Sequence, residues 1–374
     1  MPILTIFGTR PEAIKMAPLV AKLNEASGIQ HFCCITGQHR QMLDQILKTF
    51  EIKPDDDLKL MAEDQTLGGL TSLALNGITA VIAKRKPDWI LVQGDTTTAF
   101  AGALAAFYNK VKIGHIEAGL RTGNLASPWP EEGNRKLISA ISNLHFAPTS
   151  AAAANLRLEN IAPENIHVTG NTVIDALQII AGRIATDGDL HRKIAERFSF
   201  LDGRRLILAT GHRRENFQNG ALLNMCEGLK QIAKRGDVQI IYPVHLNPNV
   251  QEQVRGVLST IDNVHLVEPL DYQAFVFLLL KCYFVVTDSG GIQEEAPALG
   301  KPVLVMRDTT ERPEAIAAGT AKLVGTRKDE LIRCATLLLE SERDYNAMAL
   351  ASNPFGDGKA SARIVDVLLS TRNS

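Results

Sequence analysis

The sequence predicts two doubly wound parallel α/β domains of Rossmann-like type. Three observations carry the prediction. Short apolar runs alternate with helical periodicity almost throughout, the alternation pauses once and starts again, and polar or charged residues gather where the apolar runs end. Strands of a parallel sheet are buried on both faces, so each reads as a near-continuous apolar run, and a crossover helix separates it from the next. Ile3 to Phe7, Phe32 to Ile35, Trp89 to Val92, Lys112 to Ile116 and Leu144 to Ala147 supply the first sheet. After a helix-rich stretch from Val173 to Phe200, a second sheet follows from Leu206 to Ala209, Gln239 to Val244, Val264 to Val267, Phe284 to Thr287 and Val303 to Met306. Polar residues at 185–189 and 202–205 bracket the seam and put the boundary near residues 170–200.

Composition sets bounds on function. The 374 residues, 45% hydrophobic and 22% charged, are enough for two ordinary domains with a sizeable core. Lys plus Arg number 40 against 41 Asp plus Glu, which leaves no broad basic field for nucleic acid or an anionic membrane. Any anion site is therefore local. The opening Met-Pro-Ile-Leu-Thr-Ile-Phe-Gly has no basic segment and reads as a first strand, not a signal peptide, which predicts a cytoplasmic protein. Phe275 to Val286, interrupted by Lys281, is too short to span a bilayer, and no membrane segment is expected. Five cysteines without CxxC spacing read as reduced core residues.

Doubly wound sheets bind ligands beyond the carboxyl ends of their strands, so two such domains facing a cleft would line it with strand-end loops. In FGTRPEAIKMAP (residues 7–18), Thr9 caps a helix and Pro11 starts it. Arg10 and Lys15 add two cations to the partial positive charge of the helix start, a phosphate-seeking corner unless both are simply solvated. ILVQGDTTTA (90–99) ends a strand with Asp95, either an N-cap or a carboxylate aimed at a ligand. Glu117 directly follows the next strand, and Glu131 and Glu132 open a helix in SPWPEEGNR.

In the second half, LATGHRREN brings His212, Arg213 and Arg214 after a strand, and YPVHLNPN brings His245 after another. VVTDSGGIQEEA (285–296) is the most informative stretch. Ser289, Gly290 and Gly291 let backbone N–H groups approach a diphosphate, and Glu295, one turn into the helix, suits two ribose hydroxyls. RDTTERPEAI supplies Arg312, and its RPEAI repeats residues 10–14, which we read as repeated capping chemistry and not duplication. No GxGxxG follows a strand and no GxxxxGK[ST] occurs. The DxD spacings Asp55 to Asp57 and Asp187 to Asp189 sit in polar connectors, so a site without metal or redox cofactor is expected.

GTRPEAIKMAP, QGDTTT, HIEAGLRT, PWPEEGNR, TGHRREN, PVHLNPN, TDSGGIQEEAP and RDTTERPEA, in this order over residues 8 to about 358, resemble the bacterial non-hydrolysing UDP-N-acetylglucosamine 2-epimerases. The resemblance implies the GT-B fold of many glycosyltransferases, with an N-terminal domain of residues 1–172 joined by a returning helix in 358–374 and a C-terminal UDP-binding domain of 173–357. It implies interconversion of UDP-N-acetylglucosamine and UDP-N-acetylmannosamine by a cytoplasmic homodimer without NAD or metal. Arg10, Lys15, His212, Arg312 and the Ser289, Gly290, Gly291 turn would hold the departing UDP, Glu295 the ribose and Phe275 the uracil. Asp95, Glu117, Glu131 and His212 are the catalytic set, with the carboxylate that removes the proton and the one that returns it left open. The family's polar uracil-loop residue is Leu270 here. In some relatives a second UDP-N-acetylglucosamine activates the enzyme, and the matching positions are Gln38, Gln41, Gln65, Glu131, Arg213 and His245. A GT-B glycosyltransferase, a hydrolysing epimerase and a nucleotide-sugar sensor are the competing readings.

Overall fold

The computed structural model describes residues 1–37, 40–61, 65–211 and 220–372, the side chains of Arg40 and Gln41 excepted. The chain divides into two compact units, one of Met1–Gln178 with Phe355–Ser374 and one of Ile179–Pro354.

The first unit holds a parallel sheet of β1 (Pro2–Phe7), β2 (Gln30–Ile35), β3 (Asp56–Asp57), β4 (Trp89–Gln93), β5 (Lys112–Ile116), β6 (Leu144–Ala147) and β7 (Ile166–Val168), in the order β3-β2-β1-β4-β5-β6-β7. Strand order reverses between β1 and β4, where Ile3 pairs with Trp89 and Ile6 with Val92. Leu4, Ile6, Ile90, Val92 and Ile113 meet Ala74, Ile78 and Val81 of helix Leu67–Arg85 and the alanines of helix Thr97–Tyr108 in one core cluster. The alanine-rich face of Thr97–Tyr108 brings that helix close to the sheet. The sequence reading weighed only Phe275 to Val286, which it found too short to span, whereas Leu67–Arg85 is long and apolar enough to cross a membrane by length and composition. Here it lies against Thr97–Tyr108.

The second unit repeats the plan with β8 (Arg205–Thr210), β9 (Val238–Pro243), β10 (Val264–Val267), β11 (Phe284–Thr287), β12 (Val303–Val305) and β13 (Ala321–Leu323). All run parallel in the order β10-β9-β8-β11-β12-β13, reversing between β8 and β11. Ile207, Ile240, Phe284 and Leu304 form its core with Leu229, Leu331 and Leu338 from flanking helices. Each unit is doubly wound, the GT-B-type pattern. Helix Ala360–Ser370 returns to the first unit and packs on helix Arg10–Glu25.

Three strands escaped the sequence reading. Asp56–Asp57, Ile166–Val168 and Ala321–Leu323 are two or three residues long at or near sheet edges, too short to show periodicity. All five cysteines are free and buried, and burial pushes the Cys33, Cys226 and Cys282 thiols up to about 12.

Candidate active site

In the first unit, the strand-order switch brings the ends of β1 and β4 together. Thr9 caps helix Arg10–Glu25 and forms a capping box with Glu12, whose carboxylate accepts from Gly8 N (3.0 Å) and Thr9 N (2.8 Å). Thr96 at the end of β4 donates to the other Glu12 oxygen at 2.5 Å. One buried carboxylate thus ties the two strand-end turns across the switch point.

Thr96, not Asp95, caps helix Thr97–Tyr108, so the N-cap reading of Asp95 fails. The Asp95 carboxylate instead accepts from Arg135 Nε at 2.8 Å, and Asn134 donates to the Asp95 carbonyl at 2.8 Å. Arg135 also donates to Glu132 at 3.1 Å. Glu132 is fully buried and accepts from Thr122 N and Gly123 N, both at 3.1 Å, so it fastens the loop after Glu117. Glu131, its neighbour on the first turn, is partly exposed.

Glu117 follows β5 with φ +62°, a left-handed backbone uncommon for a residue with a side chain. Its buried carboxylate is held by Lys15 Nζ at 2.6 Å, by Gln93 Nε2 and by Asn171 Nδ2 at 2.9 Å. Lys15, expected on a leaving diphosphate, thus stands on a carboxylate 102 residues away. His115, two residues before Glu117, is bonded to the Gly94 carbonyl at 2.7 Å, and burial lowers its imidazole to about 3, so it is neutral at pH 7.

The second unit presents its own switch point. Thr210 and Thr287, ending β8 and β11, share a hydroxyl hydrogen bond of 2.6 Å. The Ser289–Gly291 turn follows, before helix Ile292–Ala298. Gln293, fully buried, donates to the Ser289 carbonyl at 3.1 Å and accepts from Thr310 at 2.6 Å. Thr310 in turn accepts from Arg312 N at 3.0 Å. Arg312 is 6% exposed, and its Nε lies on the Glu294 carboxylate. Glu295 accepts from the buried Tyr272 hydroxyl at 2.8 Å. Leu270 is buried and Phe275 partly so, at the start of helix Tyr272–Lys281. Among the described residues, no three His, Cys, Asp or Glu side chains cluster as metal ligands.

The family model described as UDP-N-acetylglucosamine 2-epimerase matches residues 21–369. The chain belongs to that family. A UDP-N-acetylglucosamine 2-epimerase of Campylobacter jejuni is 52% identical over 377 residues, covering 100% of this chain and 98% of that protein. The crystal structure of the Neisseria meningitidis UDP-GlcNAc 2-epimerase bound to UDP-GlcNAc superposes with TM-score 0.94 at 50% identity, over 99% of this chain and 100% of that one. The Methanocaldococcus jannaschii enzyme, in complex with UDP-GlcNAc and UDP, matches at TM-score 0.84 and 34% identity over 99% and 100%.

Measured against the residues expected of this family, the described part of the chain holds Arg10, Lys15, Asp95, Glu117 and Glu131 in the first unit. Leu270, Phe275, Ser289, Gly290, Gly291, Glu295 and Arg312 lie in the second. His212, Arg213, Gln38 and the Gln41 side chain lie outside the described residues. Gln65 is half-buried beside the Thr66 cap of helix Leu67–Arg85, and His245 is exposed, its Nδ1 accepting from Asn247 N at 3.1 Å. The sequence reading missed the residues that hold the acids and the turn, namely Gln93, Asn134, Arg135, Asn171, Gln293 and Glu294. Five of them stand inside the quoted motifs, so an available signal was a polar residue at a position that buries. Asn171 carried a different one, an Asn directly before a helix.

Proposed function

We propose that the chain interconverts UDP-N-acetylglucosamine and UDP-N-acetylmannosamine by eliminating and re-adding UDP. A base takes the proton from sugar carbon 2, the electron pair forms the carbon 1–carbon 2 double bond, and the carbon 1–oxygen bond breaks to release UDP. Re-addition of UDP with protonation on the opposite face of carbon 2 gives the epimer. The hydrogen on carbon 2 is weakly acidic, and a positioned carboxylate contributes about 10² to 10⁴-fold in rate. Loss of UDP spares the enzyme a free carbanion and shifts the burden to stabilising a departing diphosphate.

The observation that carries this reading is Glu117, a buried carboxylate fixed by Lys15, Gln93 and Asn171 at the end of β5. Asp95, oriented by Arg135, and the partly exposed Glu131 supply further acid/base groups from the same unit. The Ser289–Gly291 turn, Glu295 and Arg312 in the second unit are the proposed diphosphate and ribose contacts, with Phe275 on the uracil. Relatives whose structures carry UDP-GlcNAc and UDP support the ligand. The epimer supplies manno sugar for cell-surface polysaccharide synthesis in this reading, and a second substrate molecule acts as activator.

The test is incubation with UDP-N-acetylglucosamine in heavy water without an acceptor, followed by NMR. The expected product is a mixture containing UDP-N-acetylmannosamine with deuterium at carbon 2. Epimer retaining protium there overturns the mechanism, free N-acetylmannosamine indicates hydrolysis, and an inert sample favours a glycosyltransferase. Asp95→Asn and Glu117→Gln should each lower kcat by at least ~10² with less effect on KM.

A further inference from the structure

Glu117 has its carboxylate fixed from three directions, and one of its donors is itself braced by a distant piece of chain. Asn171 is buried in the connector between β7 and helix Thr172–Thr186. Its Nδ2 donates to Glu117 Oε1 at 2.9 Å, and its Oδ1 accepts from Val173 N at 3.3 Å. Its backbone N–H donates to the Phe355 carbonyl at 2.7 Å. Phe355, fully buried, is the residue at which the chain re-enters the first unit.

The approach is backbone against backbone. Gly170 (φ +86°) and Gly356 (φ +124°) face each other so closely that a Cβ on either would lie 3.2 Å from the other's Cα. Both positive φ values also disfavour any residue with a side chain. Beyond them, the Asp175 carboxylate accepts from Ser361 N at 2.8 Å and Ala360 N at 3.2 Å. Arg363 donates to the Thr169 carbonyl at 3.0 Å. Residues 355–363 are therefore clipped along residues 169–175 by groups on both sides of Asn171.

From this geometry we propose that Asn171 is a positioning residue for Glu117, held in register by the returning Phe355–Gly356 strap. The role follows from what each contact fixes. Glu117 leaves β5 in a left-handed conformation, so its carboxylate direction depends on tertiary partners and not on the strand. Lys15 lies 2.6 Å from both carboxylate oxygens and supplies charge without choosing between them. Asn171 takes Oε1 and Gln93 takes Oε2, which fixes the rotation of the carboxylate plane.

The inference rests on the proposed epimerisation, and the test separates the two. Wild type, Asn171→Asp and Asn171→Ala are compared for thermal stability, kcat, KM and the pH profile of kcat. Asn171→Asp keeps the cap to Val173 and the backbone bond to Phe355 but replaces the donor with a like charge. Among the described residues, the groups seen on or beside Glu117 include Lys15 from helix Arg10–Glu25, His115 from its own strand and the amides of Gln93 and Asn171. His115 is neutral at assay pH, so the added carboxylate is the new charge.

Asn171→Asp is expected to fold with a lower Tm than wild type, because it buries a second carboxylate beside Glu117, to lose about 10²-fold in kcat with KM within about threefold, and to move the acidic limb of kcat upward by at least about one pH unit. Asn171→Ala should lose kcat without that shift. Gly356→Ala, which presses on Gly170 from the strap side, should lower kcat in the same direction while Lys15 and Gln93 are untouched. A folded Asn171→Asp with wild-type kcat and pH profile overturns the inference and leaves the epimerase reading standing. A wild type that turns over no UDP-N-acetylglucosamine overturns the reading and the role of Asn171 with it.

Discussion

The pentapeptide RPEAI occurs at residues 10–14 and again at 312–316, and the two copies bury opposite charges. In the first, Glu12 is 1% exposed and closes a capping box with Thr9, while Arg10 stays partly open. In the second, Arg312 goes inside against Glu294 and Glu314 is partly exposed. Arg312 makes no side-chain cap, and its helix, Pro313–Ala317, is a single short turn. Our expectation of repeated capping chemistry therefore fails for the second copy. The cause lies in the neighbours: Thr9 offers its N–H and Thr96 its hydroxyl to a carboxylate, whereas Glu294 offers a carboxylate to a guanidinium. Identical local sequence fixes where a helix can start, and the surroundings decide which charge it buries.

Removing the buried partner of the second copy should have the largest effect. Glu294→Ala removes the carboxylate on Arg312 Nε, leaving Glu311 3.9 Å from its Nη1, and should cost about 3 kcal/mol in urea unfolding. A loss under about 1 kcal/mol would mean that Arg312 is not buried as described. Glu12→Ala comes next, because it strips Gly8 N and Thr9 N of their acceptor, and a loss of about 2–3 kcal/mol is expected in the same measurement.

A pH series sharpens the contrast further. Burial raises the Glu12 carboxyl above its ordinary 4.5, against opposing hydrogen bonds from Thr96, Gly8 and Thr9. The folded chain then binds this proton more tightly than the unfolded chain, so Glu12 makes stability fall as pH rises from about 4.5 through its raised value. Glu12→Gln cannot titrate. Its stability relative to wild type should improve with rising pH over that window, and a pH-independent difference would show that burial does not dominate. The smallest effect belongs to Arg10→Met, which should change stability by no more than about 0.5 kcal/mol, since Arg10 is partly exposed. A loss comparable to that of Glu294→Ala would erase the asymmetry between the copies.

The fold was largely legible because its long strands are buried on both faces. Lys112–Ile116, Leu144–Ala147, Val264–Val267 and Phe284–Thr287 fall where the apolar runs put them. Asp56–Asp57 could not be read, since only its pairing with Cys34 and Ile35 makes those two aspartates a strand. At the site, strand-end position singled out Asp95, Glu117 and Ser289–Gly291. For Arg135, Asn171 and Glu294 the sequence offered a polar residue in a helix start or connector but not its partner, because such a residue looks the same whether it is solvated or buried against a charge.

The order of strands and helices, the alternation that makes two sheets and the identities of the strand-end residues are set by the sequence through interactions spanning a few residues. Lys15 meeting Glu117, Arg135 meeting Asp95 and Phe355 bracing Asn171 were decided by tertiary structure alone. Each joins residues that periodicity cannot relate, and each becomes possible only when parallel pairing brings the strand ends of one sheet to one edge. There, burial makes an unpaired charge or an unbonded backbone N–H costly, so these groups find each other.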